Sequence, residues 1–139
     1  MKTLIFNGSP RKNGDTRLLV NEFVKYLNGE WVIVDVFERH IASCIDCRYC
    51  WEHEGCSQQD DMQEVYDMIQ ECDNILIASP VFFTELTGQL LVAASRLQTF
   101  FCARYFRKEI PVARSKNGGI LLVQGGEHKA EKTADTAAA

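Results

Sequence analysis

Four short apolar segments alternate along the chain with stretches in which apolar residues recur at helical spacing. The segments are typical of buried strands and cover residues 1–7, 31–37, 74–79 and 119–124. The stretches between them predict a helix capped by Asp15 or Thr16, a helix that starts at Asp60 with Gln63 as its capping box, and one helix over 87–105. A last helix begins after residue 129. Strands that alternate with helices in this way favour an α/β fold with a parallel sheet and right-handed crossovers.

The charge balance excludes two classes of partner. Lys and Arg number 15 and Asp and Glu number 19, which gives a net charge of −4. An acidic chain without a basic run is a poor match for nucleic acid or an anionic membrane. The sequence also contains no apolar run of the roughly 18–20 residues that span a bilayer, and no signal peptide. We therefore expect a cytoplasmic protein with no membrane partner.

Four of the six cysteines lie in the segment between the second strand and the helix that follows it. Their spacing is Cys44-x2-Cys47-x2-Cys50-x5-Cys56, and the segment 40–59 around them lacks apolar periodicity. In a reducing compartment, clustered cysteines more often bind metal or act in redox chemistry than form disulfides. Three hypotheses follow for this loop, namely a [4Fe–4S] cluster, tetrahedral zinc, and metal-free thiols. The isolated Cys72 and Cys102 are expected to be small buried apolar residues.

Three strand ends carry unusual residues, and in an open parallel sheet ligands bind beyond these ends. The loop 7–16 joins the first strand to a helix N-terminus, where free backbone N–H groups attract anions. Ser9 and Thr16 add hydroxyl donors and Arg11 adds a guanidinium. The alternative interpretation is an ordinary polar turn with an exposed arginine.

The other two loops follow the third and fourth strands. In the loop 79–84, Phe82 and Phe83 come after a proline and can flank a flat ring. The alternative is that they are core residues, and we expect this of at least one of them. The loop 124–127 carries Gly125 and Gly126.

Three motifs occur in order along the chain and together resemble a known family. They are Gly-Ser-Pro-Arg-Lys-Asn-Gly-Asp-Thr at 8–16, Asp-Asp-Met at 60–62 and Ser-Pro-Val-Phe-Phe at 79–83. With the cysteine run, they resemble the flavodoxin-like NAD(P)H-dependent FMN reductase family, in particular its iron–sulfur flavoprotein branch. The resemblance covers essentially the whole chain. It implies a three-layer fold with a parallel sheet in the order 2-1-3-4, in a single domain over residues 1–139.

The resemblance also indicates which C-terminal elements this fold requires. A complete fold of this type needs a helix, a fifth strand and another helix after the fourth strand. Residues 131–139 give only the start of the first of these helices. We therefore expect an incomplete C-terminal part, or an open strand edge that something else covers, such as a partner subunit.

The site that the resemblance implies is an FMN site at the three loops. The phosphate would lie in the loop that contains Ser9, Arg11, Asn13, Gly14, Asp15 and Thr16. The isoalloxazine ring would be flanked by Pro80, Val81, Phe82 and Phe83 on one side and by the backbone of Gly125 and Gly126 on the other. The family often has Asn where this chain has Asp15, and a carboxylate next to a phosphate is repulsive unless it caps the helix. The metal ligands would be Cys44, Cys47, Cys50 and Cys56, which resemble a compact cluster motif.

The function implied by the resemblance is that of an FMN-dependent oxidoreductase. NADPH or NADH would supply a hydride, and electrons would leave to a quinone, another small acceptor or a redox protein. Members of such families are usually dimers or tetramers. One alternative is an iron–sulfur flavoprotein that only transfers electrons. A second is a zinc-binding or thiol-sensing module without flavin.

Overall fold

One parallel sheet of four strands organises the residues that the structure, a computed structural model, describes, which are 1–126 and 130–139. The strands are β1 (Lys2–Asn7), β2 (Glu30–Asp35), β3 (Asn74–Pro80) and β4 (Asn117–Val123). Their order is β2-β1-β3-β4 and every pairing is parallel, which confirms the predicted order. The helices are α1 (Asp15–Val24), α2 (Tyr49–Glu52), α3 (Met62–Glu71), α4 (Gly88–Ser95), α5 (Gln98–Tyr105) and α6 (Glu131–Ala138). Within these two ranges, no helix is long and apolar enough to cross a membrane.

The sheet separates two apolar cores because successive side chains of a strand point to opposite faces. On central strand β1, Leu4 and Phe6 pack into the larger core, which α3 and α4 cover. Ile5 points to the other face and packs with Val20 of α1. Helices on both faces of a parallel sheet give the three-layer arrangement that the sequence predicts.

Helix α1 departs from its predicted cap, and part of its apolar side is exposed. Its N-cap is Gly14, whose extended backbone fits that position, and no side chain caps the helix. The prediction of a cap by Asp15 or Thr16 was therefore wrong, since both already lie in the first helical turn. Leu19 and Phe23, which share the apolar spacing of Val20, are 48% and 40% exposed.

The predicted single helix over 87–105 is divided in two. Helix α4 ends at Ser95 and α5 begins at Gln98. At the junction, the backbone N–H groups of Arg96 and Leu97 bond carbonyls three residues earlier, at 3.1 and 2.9 Å. The chain tightens here because the side chain of Arg96 is directed into the protein, where it binds the cysteine loop.

The start of α3 also differs from the prediction. The helix begins at Met62, and Asp60 accepts a hydrogen bond from the Met62 N–H at 3.1 Å. Gln63 does not complete a capping box, because its side-chain amide donates to the carbonyls of Cys56 and Gln58 at 3.3 and 2.6 Å. The buried side of this helix consists of Met62, Val65, Tyr66 and Ile69.

We expect Leu4→Ala to lower the free energy of unfolding by about 2–5 kcal/mol, because the side chain is fully buried and its loss leaves a cavity. Leu18→Ala is the matched control, since Leu18 is 57% exposed. Its effect should stay within about 0.5 kcal/mol. Urea unfolding followed by circular dichroism measures both. Equal losses in the two variants would contradict the described core.

Candidate functional site

The carboxyl ends of β1, β3 and β4 bring three loops to one edge of the sheet. The Gly8 N–H donates to the carbonyl of Ala78 at 2.7 Å, and the Val81 N–H donates to that of Val123 at 2.8 Å. Each bond continues a strand pairing by one residue into the loop that follows. The segments 8–16, 80–84 and 124–126 therefore adjoin one another, as the sequence predicts for a ligand site.

A buried hydroxyl joins the first two of these loops. Thr87 donates its Oγ1–H to the carbonyl of Gly8 at 2.8 Å, and its N–H binds Ser79 Oγ at 3.3 Å. A Cβ atom at Gly8 would lie 3.0 Å from both Thr87 Oγ1 and Leu90 Cδ2. A larger residue there would require the side chains of Thr87 and Leu90 to shift by a few tenths of an ångström. Sequence analysis missed this role of Thr87, which it counted only as the first residue of the predicted helix.

The loop 8–16 is held by bonds within itself. Ser9 Oγ accepts from the Arg11 N–H at 3.2 Å, and the Arg11 carbonyl accepts from the Gly14 N–H at 3.2 Å. Arg11, Asn13 and Asp15 are exposed at the rim of the loop, whereas Thr16 is buried under it. The loop thus presents a guanidinium, an amide and the first turn of α1 to solvent.

A polar group behind this loop was also missed. Asn7 is almost fully buried, and its side chain accepts from the Ser9 N–H at 3.3 Å and donates to Asp35 at 2.5 Å. Asp35 in turn accepts two bonds from Arg17, at 2.6 and 2.8 Å. The end of β2 and helix α1 therefore both support the loop. The signal for this role is a polar residue at the end of a buried strand.

The loop after β3 makes a tight two-residue turn. Phe82 and Glu85 exchange both backbone hydrogen bonds at 3.0 Å, with Phe83 and Thr84 between them. Both central residues have positive φ, 52° and 59°, which is unusual for residues other than glycine and is costly. Phe82 is 49% exposed and Phe83 is fully exposed. The expectation that at least one of them is a core residue was wrong, and two rings stand free beside β3.

The third loop follows β4 directly. Gly125 and Gly126 are exposed, and Gln124 donates to the Gly126 carbonyl at 3.2 Å. A Cβ at Gly125 would meet nothing within 4 Å, so the backbone here is open to a ligand. Glu127 lies outside the described residues.

The four clustered cysteines line one pocket. Cys44 and Cys47 are exposed at its mouth and Cys50 and Cys56 are partly buried, with Tyr49 and Trp51 beside them. Within the described ranges, no three Cys, His, Asp or Glu side chains are close enough together to hold a metal ion. The structure thus brings the predicted ligands to one place but not to metal-binding distance of one another. Cys72 and Cys102 are buried, as predicted.

The thiols of this pocket have different surroundings. A hydrogen bond with Ser57 (3.2 Å between Sγ and Oγ) and one with the Tyr49 N–H lower the pKa of Cys47. Burial raises the pKa of Cys50 to about 12, and the neighbouring thiol of Cys102 adds to the increase. Cys102 is therefore a fifth thiol next to the pocket, brought there by the packing of α5 against α2.

A buried ion pair closes the cysteine loop. Arg96 binds Asp60 through two contacts of 2.6 and 3.1 Å, and it also donates to the carbonyls of Ala42 and Gln58 at 2.9 and 3.3 Å. Asp60 accepts from the Ala42 N–H at 3.0 Å. The two ends of the loop are thereby fixed to each other and to the end of α4. Sequence analysis read Asp60 as a helix cap and missed Arg96, whose signal is a charged residue within an apolar helical stretch.

Further contacts from the same helices hold the loop between its ends. Ser95 Oγ accepts from the Cys44 N–H at 3.0 Å, and Thr99 donates to the Gly55 carbonyl at 2.9 Å. Arg107 donates to the carbonyl of Cys50, and Phe106 stacks on Trp51 with centroids 4.4 Å apart. These contacts make the loop an ordered part of the fold.

The chain belongs to a known family of flavin enzymes. A profile of the family described as NADPH-dependent FMN reductase matches residues 1–137. This covers almost the whole chain and confirms the family that the sequence motifs resemble.

Several curated relatives carry the name iron–sulfur flavoprotein. Two of them, from Methanocaldococcus jannaschii, are 30% identical over 126 residues and 33% identical over 138 residues. The alignments cover 86% and 96% of this chain, but 65% and 67% of the relatives. One from Archaeoglobus fulgidus is 28% identical over 137 residues, with 59% of its length covered. The chain thus spans about two thirds or less of the length of these relatives.

Solved structures support the fold. An NAD(P)H:quinone oxidoreductase from Methanothermobacter marburgensis superimposes with a TM-score of 0.73 at 17% identity, over 98% of this chain and 69% of its own. RosB also superimposes with a TM-score of 0.73, at 22% identity, over 98% of this chain and 56% of its own. At these identities the likeness concerns the architecture, which is flavodoxin-like.

We expect Thr87→Val to lower the free energy of unfolding by about 1–3 kcal/mol, because the buried Gly8 carbonyl loses its partner while the volume is kept. Thr84→Val, at the exposed turn nearby, is the control. Chemical unfolding of both variants measures the difference. An unchanged stability of Thr87→Val would show that the hydroxyl does not join the two loops.

The Arg96–Asp60 pair predicts a dependence of stability on pH. Burial alone would raise the pKa of Asp60, but hydrogen bonds from Arg96 and from the N–H groups of Ala42 and Met62 lower it. The ionised carboxylate therefore stabilises the fold above the usual aspartate pKa of about 4, and this contribution is lost as the pH falls through the lowered value.

Asp60→Asn removes this contribution and leaves the charge of Arg96 buried without its partner. We expect it to cost about 3–5 kcal/mol at pH 7, and the gap to wild type should narrow as the pH falls towards 3. Urea unfolding at several pH values measures the gap. A constant gap over this range would contradict the assignment, and Asp46→Asn, in the exposed part of the loop, serves as the control.

Proposed function

We propose that this chain is the flavin-binding part of an FMN-dependent oxidoreductase that takes a hydride from NADPH or NADH. Its electrons would pass to a quinone, another small acceptor or a redox protein. The observation that carries the proposal is the joined edge of three loops, with an open helix N-terminus, two exposed aromatic rings and an open backbone segment. Membership of the NADPH-dependent FMN reductase family supports the same assignment.

The loop 8–16 is suited to the FMN phosphate. Backbone N–H groups at the start of α1 and the helix dipole favour an anion there. Ser9, Thr16 and Asn13 add neutral donors and Arg11 adds a charged one. Gly14, as the N-cap, keeps the approach to the helix open. Asp15 is exposed in the first turn and its carboxylate opposes the phosphate charge.

The other two loops are suited to the isoalloxazine ring. Pro80 and Val81 continue β3 to the ring site, and the exposed side chains of Phe82 and Phe83 offer apolar faces to a planar group. The backbone of Gly125 and Gly126 approaches from the end of β4 without side chains in the way. These residues orient the ring and exclude water from one side of it.

FMN, when bound, supplies the redox chemistry, since it accepts a hydride and releases electrons. The contribution of the chain is binding, orientation and electrostatics. We assign no acid or base side chain to the site.

We further propose that Cys44, Cys47, Cys50 and Cys56 hold a [4Fe–4S] cluster. Four thiols on one pocket have the donor chemistry of such a cluster, and the relatives are named iron–sulfur flavoproteins. Binding requires the Cys50 thiol to turn from Cys102 towards the other three. The alternatives are that the loop binds zinc or that its thiols bind no metal. A cluster at this site would favour the alternative function, in which the protein transfers electrons between the flavin and a partner.

A homodimer or tetramer remains our proposal for the assembly. The exposed rings of Phe101, Tyr105 and Phe106, next to the cysteine loop, support it, because apolar patches of this kind mark contacts between proteins. We also retain the cytoplasm as the proposed location.

The absorption spectrum of anaerobically purified protein, with iron and zinc analysis, tests both cofactors. FMN gives bands near about 375 and 450 nm, and a cluster adds a broad shoulder near about 400 nm with stoichiometric iron. Flavin with iron supports electron transfer, and flavin without iron supports the reductase. Protein that holds neither and does not take up added FMN would overturn both and leave the thiol or zinc module.

Variants of the loop 8–16 test the phosphate assignment through the FMN dissociation constant, measured by flavin fluorescence. Arg11→Ala should weaken binding about 10- to 100-fold, because a charged hydrogen bond is lost. Lys12→Ala should have a smaller effect, since Lys12 is paired with Glu38 at 2.5 Å. Asp15→Asn should tighten binding about 3- to 10-fold by removing a repulsive charge. Weaker binding by Asp15→Asn would contradict this placement of the phosphate.

A further inference from the structure

Arg96 is the largest fully buried side chain in the described part of the chain, and one of its donors has no partner there. A guanidinium has five N–H groups. The four on the terminal nitrogens are used, since Nη1 donates to Asp60 and Ala42, and Nη2 donates to Asp60 and Gln58. The fifth, on Nε, is buried and has no acceptor among the described residues.

An unpaired buried donor needs an explanation. Burial of an N–H group without an acceptor is unfavourable, and more so when the group is charged. Such groups are rare in native proteins, and they mark strain, a functional role or a partner that is not part of the chain. Closure of the loop by Asp60 accounts for the terminal nitrogens but leaves Nε–H unexplained.

The position of Arg96 indicates which partner fits. Its side chain lines the same pocket as Cys44, Cys47, Cys50 and Cys56. Asp60 balances its single positive charge through the two terminal nitrogens, and Nε–H is left without a partner among the described residues. A thiolate or an inorganic sulfide is an anionic acceptor, and sulfur of this kind is what four cysteines bring together around iron.

We propose that Arg96 is the positioning residue of this pocket, where its terminal nitrogens close the cysteine loop and its Nε–H donates to a sulfur of the bound cluster. This inference rests on the proposed [4Fe–4S] cluster. Hydrogen bonds to cluster sulfurs favour the more negative, reduced state and so raise the reduction potential. Arg96 therefore makes the cluster easier to reduce.

Arg96→Lys tests the donor, because lysine keeps the charge but has neither the fork nor the Nε–H. Arg104→Lys, on the exposed face of α5, is the matched control. The readout is the midpoint potential of the cluster in anaerobic protein, from a redox titration followed by electron paramagnetic resonance. We expect the ratio of reduced to oxidised cluster at fixed potential to fall at least tenfold in Arg96→Lys, about 59 mV for one electron. The same potential in wild type and both variants would overturn the role.

A second measurement covers the case in which Arg96→Lys does not fold or does not bind iron. Wild-type protein labelled with ¹⁵N-arginine is reduced and examined by pulsed electron paramagnetic resonance. We expect a ¹⁵N coupling to the cluster that persists in Arg48→Lys and in Arg107→Lys, since Arg48 also lines the pocket and Arg107 donates to the carbonyl of Cys50. Loss of the coupling in either variant, or its absence in wild type, would overturn the assignment to Arg96.

The two proposals fail in different ways. Wild-type protein that holds no iron after anaerobic purification and reconstitution overturns the cluster and, with it, the role of Arg96. Iron-loaded wild type without an arginine coupling overturns only the role of Arg96 and leaves the cluster in place.

Discussion

The hydrogen bond from the buried Thr87 hydroxyl to the Gly8 carbonyl holds the candidate flavin site together. It joins the loop after β1 to the start of α4, and Ser79 extends the junction to the end of β3. The close fit against Gly8 holds the loop 8–16 against the start of α4, next to the aromatic turn at 82–85. A ligand that reaches from one loop to the other thus meets a preformed edge, which reduces the entropy lost on binding.

Helix α4 connects this edge to the second candidate site. Thr87 stands at its N-terminus, and Arg96 follows its C-terminus, about 14 Å away at 1.5 Å per residue. Thr87, at the N-terminal end of α4, binds the loop 8–16. Arg96, at the C-terminal end, binds both ends of the cysteine loop. A single short helix therefore fixes the distance between the two sites, and its apolar residues Leu90 and Ala93 anchor it in the larger core.

The strands and the three loops could be predicted from local patterns, such as the apolar run before Asn7 and the proline after Ser79, and the strand order followed from the resemblance to a known family. The predictions that were wrong concern residues whose conformation depends on contacts far apart in the sequence. The break after Ser95 follows from the bond between Arg96 and Asp60, which are 36 residues apart. Gln63 has the spacing of a capping box but bonds the cysteine loop instead. Phe82 and Phe83 read equally well as core or surface, and only the tight turn at Phe83–Thr84 places both in solvent.

The most direct test of the central claim is a map of backbone amide shifts by nuclear magnetic resonance during titration of the flavin-free protein with FMN. A flavin site at the joined edge of the three loops should give saturable changes confined mainly to residues 8–16, 80–84 and 124–126, with the largest at the start of α1. Saturable changes elsewhere, or no change at FMN concentrations that saturate related flavoproteins, would contradict a flavin site at the joined edge of the three loops.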